Sequence, residues 1–217
     1  MNELTLVGRI AVWLLPVVFA ITVHEVAHGW VAKLRGDKTA WMMGRLTLNP
    51  IKHIDPVGTI LIPGLLLISG TGFIFGWAKP VPVNMRNLKN PVSDMAVVAA
   101  AGPISNILMA IAWAIFGRLG VMIEIESVTQ PMMYMSVAGI TINLVLALIN
   151  LLPIPPLDGS RIFSAMLPGR WAWYYSRIEP YGFFVLLFLL MSGVLSAMLG
   201  YPLYAAQKMF FSLAGLQ

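Results

Sequence analysis

Residues 23–31 read VHEVAHGWV, which sets His24, Glu25 and His28 inside an otherwise almost uncharged apolar stretch. Two histidines four apart share one face of a helix, one turn from each other, so both imidazoles reach a single ion. A glutamate beside the first is close enough to hold a water. Such a set suits metal-assisted hydrolysis. A charged carboxylate at the centre of a membrane helix costs about 2.5–3.5 kcal/mol, so groups like these persist where they do chemistry or line a cavity. Tetrahedral catalytic zinc needs a third protein ligand and an open position. With no cysteine in the 217 residues, that ligand must be His, Asp or Glu. Asp158, in PPLDG on a proline-broken turn, is the best-placed acid; the same residue would also serve as the N-cap of a helix running from 159.

The elements that must position these groups are membrane helices. The chain is 59% hydrophobic and 11% charged, with a mean hydropathy of +0.82, whereas about a quarter of the residues in a soluble domain are charged. Five apolar runs stand out: about Leu4 to Ala32, Val57 to Trp77, Val92 to Leu119, Met132 to Leu152, and Tyr181 to about Leu199. The first is too long, and too polar near its end, for a signal peptide, and it reads as one transmembrane helix. The second carries Gly58, Pro63, Gly64, Gly70, Thr71 and Gly72, a density of breakers that a plain spanning helix does not have. The third contains AAAGPISN, whose small residues allow helices to approach closely. Short alternating pieces at 41–60 and in GWAKPVPVN predict a small sheet at the membrane face. The expected fold is an α-helical integral membrane protein: a helical bundle with a re-entrant segment and a small membrane-associated β element. It forms a single polytopic domain over 1–217, with the zinc-site core at about 4–165 and C-terminal helices at about 166–217.

Charge sets the orientation. The net charge is +5, but the basic residues lie in short loops beside apolar runs, where they fix topology rather than bind nucleic acid. Lys33, Arg35, Lys38, Arg45 and Lys52 follow the first run, Lys79, Arg86 and Lys89 the second, and Arg161, Arg170 and Arg177 the fourth. If the second run crossed once, the 79–89 and 161–177 clusters would both lie outside. If it dips in and returns, at Pro63-Gly64 and Gly70-Thr71-Gly72, eleven of the fourteen basic residues face the cytoplasm. The sequence therefore predicts a re-entrant segment, a cell-membrane location, an external N-terminus, and a zinc site nearer the cytoplasmic face.

Taken together, VHEVAHGW near the start, AGPISN in a middle helix and NLLPIPPLDGSRI near the end resemble the site-2 protease family of intramembrane zinc metalloproteases, in particular the small bacterial type without a PDZ domain. The resemblance covers about residues 20–165. It implies that His24, His28 and Asp158 bind one Zn2+, that Glu25 is the general base, and that Asn150, with Asn106, holds the substrate backbone or the developing oxyanion. The implied partners are membrane proteins with a transmembrane helix, in a lipid bilayer; a homo-oligomer is compatible with the sequence. About a dozen residues separate the third and fourth runs, too few for a PDZ domain. A substrate helix must unwind before its carbonyls can be reached, and the expected strands at 41–48 or 78–84 could clamp the unwound piece by strand addition.

The rival reading is a zinc-binding membrane scaffold or a metal transporter. A transporter needs acids or histidines strung along a path, whereas here they converge, and a scaffold has no need of Glu25. The remaining histidine, His53, has two readings, a structural, hydrogen-bonding loop residue or a group for gating or transient metal contact. Asn106 and Asn143 are also candidates for hydrogen bonds between helices.

Overall fold

The computed structural model describes residues 5–69, 76–123 and 125–216. Helix α1 (Leu6–Leu34) starts at Thr5, whose hydroxyl accepts from the Gly8 amide, and ends beyond Lys33. A short α2 (Thr39–Met42) and a 3-10 turn (Pro50–His53) follow. A π-helical turn (Pro56–Leu61) then runs into α3 (Ile62–Ser69), and a second 3-10 turn spans Met85–Asn87. Helices α4 (Pro91–Ile123) and α5 (Glu126–Asn150) form an antiparallel pair, followed by α6 (Asp158–Met166), α7 (Gly169–Ser176), α8 (Glu179–Met191) and α9 (Val194–Ala214).

Three of these helices, α1, α4 and α5, are long and apolar enough to cross a membrane. The expected fifth run is not one straight helix: α8 and α9 are bent by 74° at Ser192-Gly193. Gly193 sits there at φ +75°, a left-handed conformation open to glycine at no steric cost. Helices α4 and α5 also extend beyond their apolar runs and meet within two residues, so the expected dozen-residue loop is mostly helix.

Small residues draw the bundle together. Ala110 and Ala114 of α4, Ile140 and Leu144 of α5, and Phe210 and Ala214 of α9 form one buried cluster. Gly139 lies directly against the Trp113 ring, and Gly117 against Ser136 and Ala214, so side chains at these two positions would push α5 and α9 off α4. Ser136 adds a hydrogen bond from its hydroxyl to the Trp113 carbonyl, 2.7 Å.

The expected β element does not form: the described residues contain no strand. Residues 39–42 are helical, and 76–84 carry neither helix nor strand. Their backbone groups are taken up one by one by neighbouring chain. The Trp77 amide donates to the Gly58 carbonyl (3.0 Å) and the Lys79 amide to that of His53 (2.9 Å). Arg45 donates to the Lys79 carbonyl (2.9 Å), and the Asn84 amide to the Asp37 carboxylate. Pro80 and Pro82 remove donors from alternate positions, leaving that edge unable to pair in the ordinary way. The glycine and threonine breaks at 70–72 lie outside the described residues. Gly58 and Trp77, near the two ends of the second apolar run, are nonetheless hydrogen-bonded neighbours, and Thr59 Oγ1 donates to the Trp77 carbonyl at 2.8 Å.

Candidate metal centre

The site is assembled by three elements. His24 and His28 project from one face of α1, and their Nε2 atoms stand 3.1 Å apart. Asp158 is the first residue of α6, and its Oδ2 lies 3.2 Å from His24 Nε2 and 3.3 Å from His28 Nε2. The N-cap position of α6 falls to Leu157, and the Asp158 carboxylate faces the histidines. Gly159 is what lets α6 start here, because any side chain would strike the Leu151 and Leu152 carbonyls at the end of α5.

Both imidazoles are fixed from behind by α4. His28 Nδ1 donates to the Val98 carbonyl at 2.8 Å, and a carbonyl can only accept. His24 Nδ1 meets Asn106 Oδ1 at 2.5 Å. With both imidazoles neutral, as metal ligands must be, both Nε2 atoms are lone pairs turned on a carboxylate oxygen that is buried with no donor of its own. Three acceptors facing one another repel unless a cation joins them. Tetrahedral zinc with N and O ligands at about 2.0–2.2 Å separates its donors by roughly 3.3 Å, which these three spacings match. His24, His28 and Asp158 are the one group of three or more His, Asp or Glu among the described residues able to share an ion in this way.

Glu25 stays beside the centre without joining the ligand set. Its Oε2 accepts from the Val81 amide at 2.7 Å. Gly29, one turn further along α1, makes room for this contact, since a Cβ there would run into Val81, Leu46 and Ala40.

The other expected residues fall in different places. Asn106 is fully buried, with its amide nitrogen on Asn143 Oδ1 at 2.9 Å, so it stands behind His24 and out of a substrate's reach. Asn150 closes α5 and donates to the Leu146 carbonyl of its own helix at 3.0 Å. His53 is buried away from the centre, donating from Nε2 to the Thr47 carbonyl at 2.9 Å. The Val98 carbonyl, the Val81 amide and Gly102 carry no signature in the sequence. Asn143 does, as a lone amide in an apolar run.

A family model described as Peptidase family M50 matches residues 118–193, the segment that holds Asp158. A Bacillus subtilis (strain 168) protein named "Putative zinc metalloprotease YwhC" is 42% identical over 180 residues, covering 79% of this chain and 76% of its own length. The chain belongs to peptidase family M50, the site-2 group of membrane-embedded zinc metalloproteases. More distant relatives agree. "Putative zinc metalloprotease Rip2" of Mycolicibacterium smegmatis is 28% identical over 189 residues, 86% of this chain and 68% of that one. A Methanocaldococcus jannaschii protein named in the same words, MJ0611, is 30% identical over 152 residues, 69% and 66% of the two chains. No solved structure matches the protease.

Proposed function

We propose that this protease hydrolyses peptide bonds within or beside the transmembrane helices of other membrane proteins. The observation that carries the reading is the convergence of two imidazole Nε2 atoms and a carboxylate oxygen, at 3.1, 3.2 and 3.3 Å, among helices otherwise suited to lipid. In this reading His24 Nε2, His28 Nε2 and Asp158 Oδ2 hold the zinc. When bound, zinc polarises the scissile carbonyl and acidifies a water. Glu25 takes the proton of the attacking water onto its carboxylate and passes it to the leaving amine nitrogen. The Val81 amide orients that carboxylate before substrate arrives. Asn150, at the mouth of the turn that carries Asp158, steadies the substrate backbone or its oxyanion.

The second apolar run is re-entrant in this reading. Its supporting observation is the bond between Gly58 and Trp77. A single crossing would hold such positions about 30 Å from each other. The first helix then runs from outside to the cytoplasm, and the nine residues from His24 to Lys33 set the zinc about 13 Å above the cytoplasmic end.

The test is cleavage of a panel of membrane-helix substrates in detergent, with zinc measured in parallel. Glu25→Gln is expected to lose roughly 10²–10⁴-fold in rate while keeping its zinc. His24→Ala, His28→Ala and Asp158→Ala are expected to lose the metal as well. An Asp158→Ala protein with full zinc and full activity would overturn the ligand assignment.

A further inference from the structure

We propose that Asn143 and Asn106 are positioning residues that form a one-way hydrogen-bond relay, fixing His24 in the tautomer that presents Nε2 to the ion. The inference rests on the zinc reading above and deepens it. Three helices supply the relay. Asn143 of α5 donates from Nδ2 to the Gly139 carbonyl at 2.8 Å; its Oδ1 accepts from Asn106 Nδ2 of α4 at 2.9 Å; and Asn106 Oδ1 meets His24 Nδ1 of α1. Both asparagines are fully buried.

Its direction is set at one end. An asparagine amide can be turned either way, and an imidazole can carry its proton on either nitrogen, so each link alone is ambiguous. The Gly139 carbonyl is not: it only accepts. It therefore requires the amide nitrogen of Asn143, which turns Oδ1 towards Asn106. Asn106 must then present its nitrogen to Asn143 and its oxygen to His24. An oxygen at that point requires the proton on Nδ1, which leaves Nε2 as a lone pair aimed at Asp158 and His28. Reversing any link would set donor against donor or acceptor against acceptor at fully buried positions, at a cost of about 1–3 kcal/mol for each unmet group. His28 has no need of a relay, because the Val98 carbonyl fixes its tautomer directly. The pair is thus built with one ligand locked by backbone and the other by two side chains from neighbouring helices.

Asn143 touches neither the ligands nor any position open to substrate, so its effect on the metal isolates the relay. The zinc dissociation constant is measured by competition with a chelator of known affinity. The His24 tautomer is read in the metal-free protein from 15N histidine spectra, and thermal stability is followed alongside. Asn143→Leu is expected to weaken zinc by about 10–100-fold, the usual effect of losing an outer-shell partner, and to mix the His24 tautomers. Asn143→Asp, held protonated by full burial, donates its hydroxyl to the Gly139 carbonyl and still turns an acceptor oxygen towards Asn106, so it is expected to hold zinc within about threefold of the wild type and to keep one tautomer. Ser136→Ala removes a different buried bond between the same two helices and serves as the structural control: it is expected to lower stability without changing zinc affinity. Equal zinc affinity in the wild type and Asn143→Leu, or an equal loss in Ser136→Ala, overturns the relay and leaves the metal site standing. Failure of the wild type itself to bind zinc overturns the reading on which the relay rests.

Discussion

Gly102 decides whether two imidazoles can stand where they do. A Cβ at this position of α4 would press on His28 Nε2 and on the His24 ring, and neither ring can swing aside without losing its bond to Val98 or Asn106. Alanine in place of glycine favours the helix itself by about 1 kcal/mol, but displacing a buried ring costs about 1–3 kcal/mol and the bond behind it, so the clash outweighs the helix gain. Gly102→Ala is expected to lose zinc and at least about 100-fold in cleavage, with a melting temperature that falls rather than rises, as zinc content and a melting curve on the same sample would check. At this scale the sequence is informative where chemistry is local. His24, Glu25 and His28 lie within five residues, and the helix period alone puts them together. Asp158 is 130 residues from His28; its place on a proline-broken turn made it the best-placed acid, and the resemblance tied it to the histidines. What Gly102 is for was invisible, because its small size could be read from AAAGPISN but not what leans on it.

Among the elements, the long apolar runs were legible because nothing but a membrane helix buries them so simply. The stretch between α1 and α4 was not. Extended propensity in GWAKPVPVN was real, but a strand also needs a partner edge, and here side chains and loop carbonyls take that place. Asp37 anchors the far end of the segment. It is fully buried just beyond α1, and its carboxylate accepts from the Thr39 amide and hydroxyl, the Asn84 amide and the Asn87 side chain. Burial pushes its pKa up, yet those donors together hold it below the ordinary value of 3.8. A folded value below the unfolded one means the carboxylate stabilises the protein fully above about pH 4 and loses that contribution as pH falls through the folded value. Asp37→Ala removes the buried acceptor that these donors share, at a cost of about 1–3 kcal/mol. The melting temperature of Asp37→Ala is therefore expected to lie well below the wild type at pH 7, with the gap closing below about pH 4. A gap that stayed constant to pH 3 would deny Asp37 this role.

For the molecule as a whole, the decisive matter is which side of the membrane each loop occupies, and charge and geometry bear on it separately. Lysines and arginines after α1, after the second apolar run and after α5 follow the positive-inside pattern only if residues 57–77 enter and leave on the same side. The Gly58–Trp77 bond is an independent reason for the same arrangement, and Gly76 packs on the Gly58 carbonyl and Pro63 so closely that only glycine fits. A returning chain carries broken backbone to membrane depth, which is tolerated where it borders protein or a watered cavity rather than lipid. In a chain without native cysteines, Asn84→Cys and Ser127→Cys make the test clean. Both positions are exposed, the first in the loop before α4 and the second in the first turn of α5, so α4 is the candidate span that lies between them. In intact cells an impermeant maleimide is expected to label Ser127→Cys directly and Asn84→Cys only after the membrane is opened. Labelling of Asn84→Cys from outside would make the second run a full crossing, turn the loops that follow it inside out, and end the re-entrant reading.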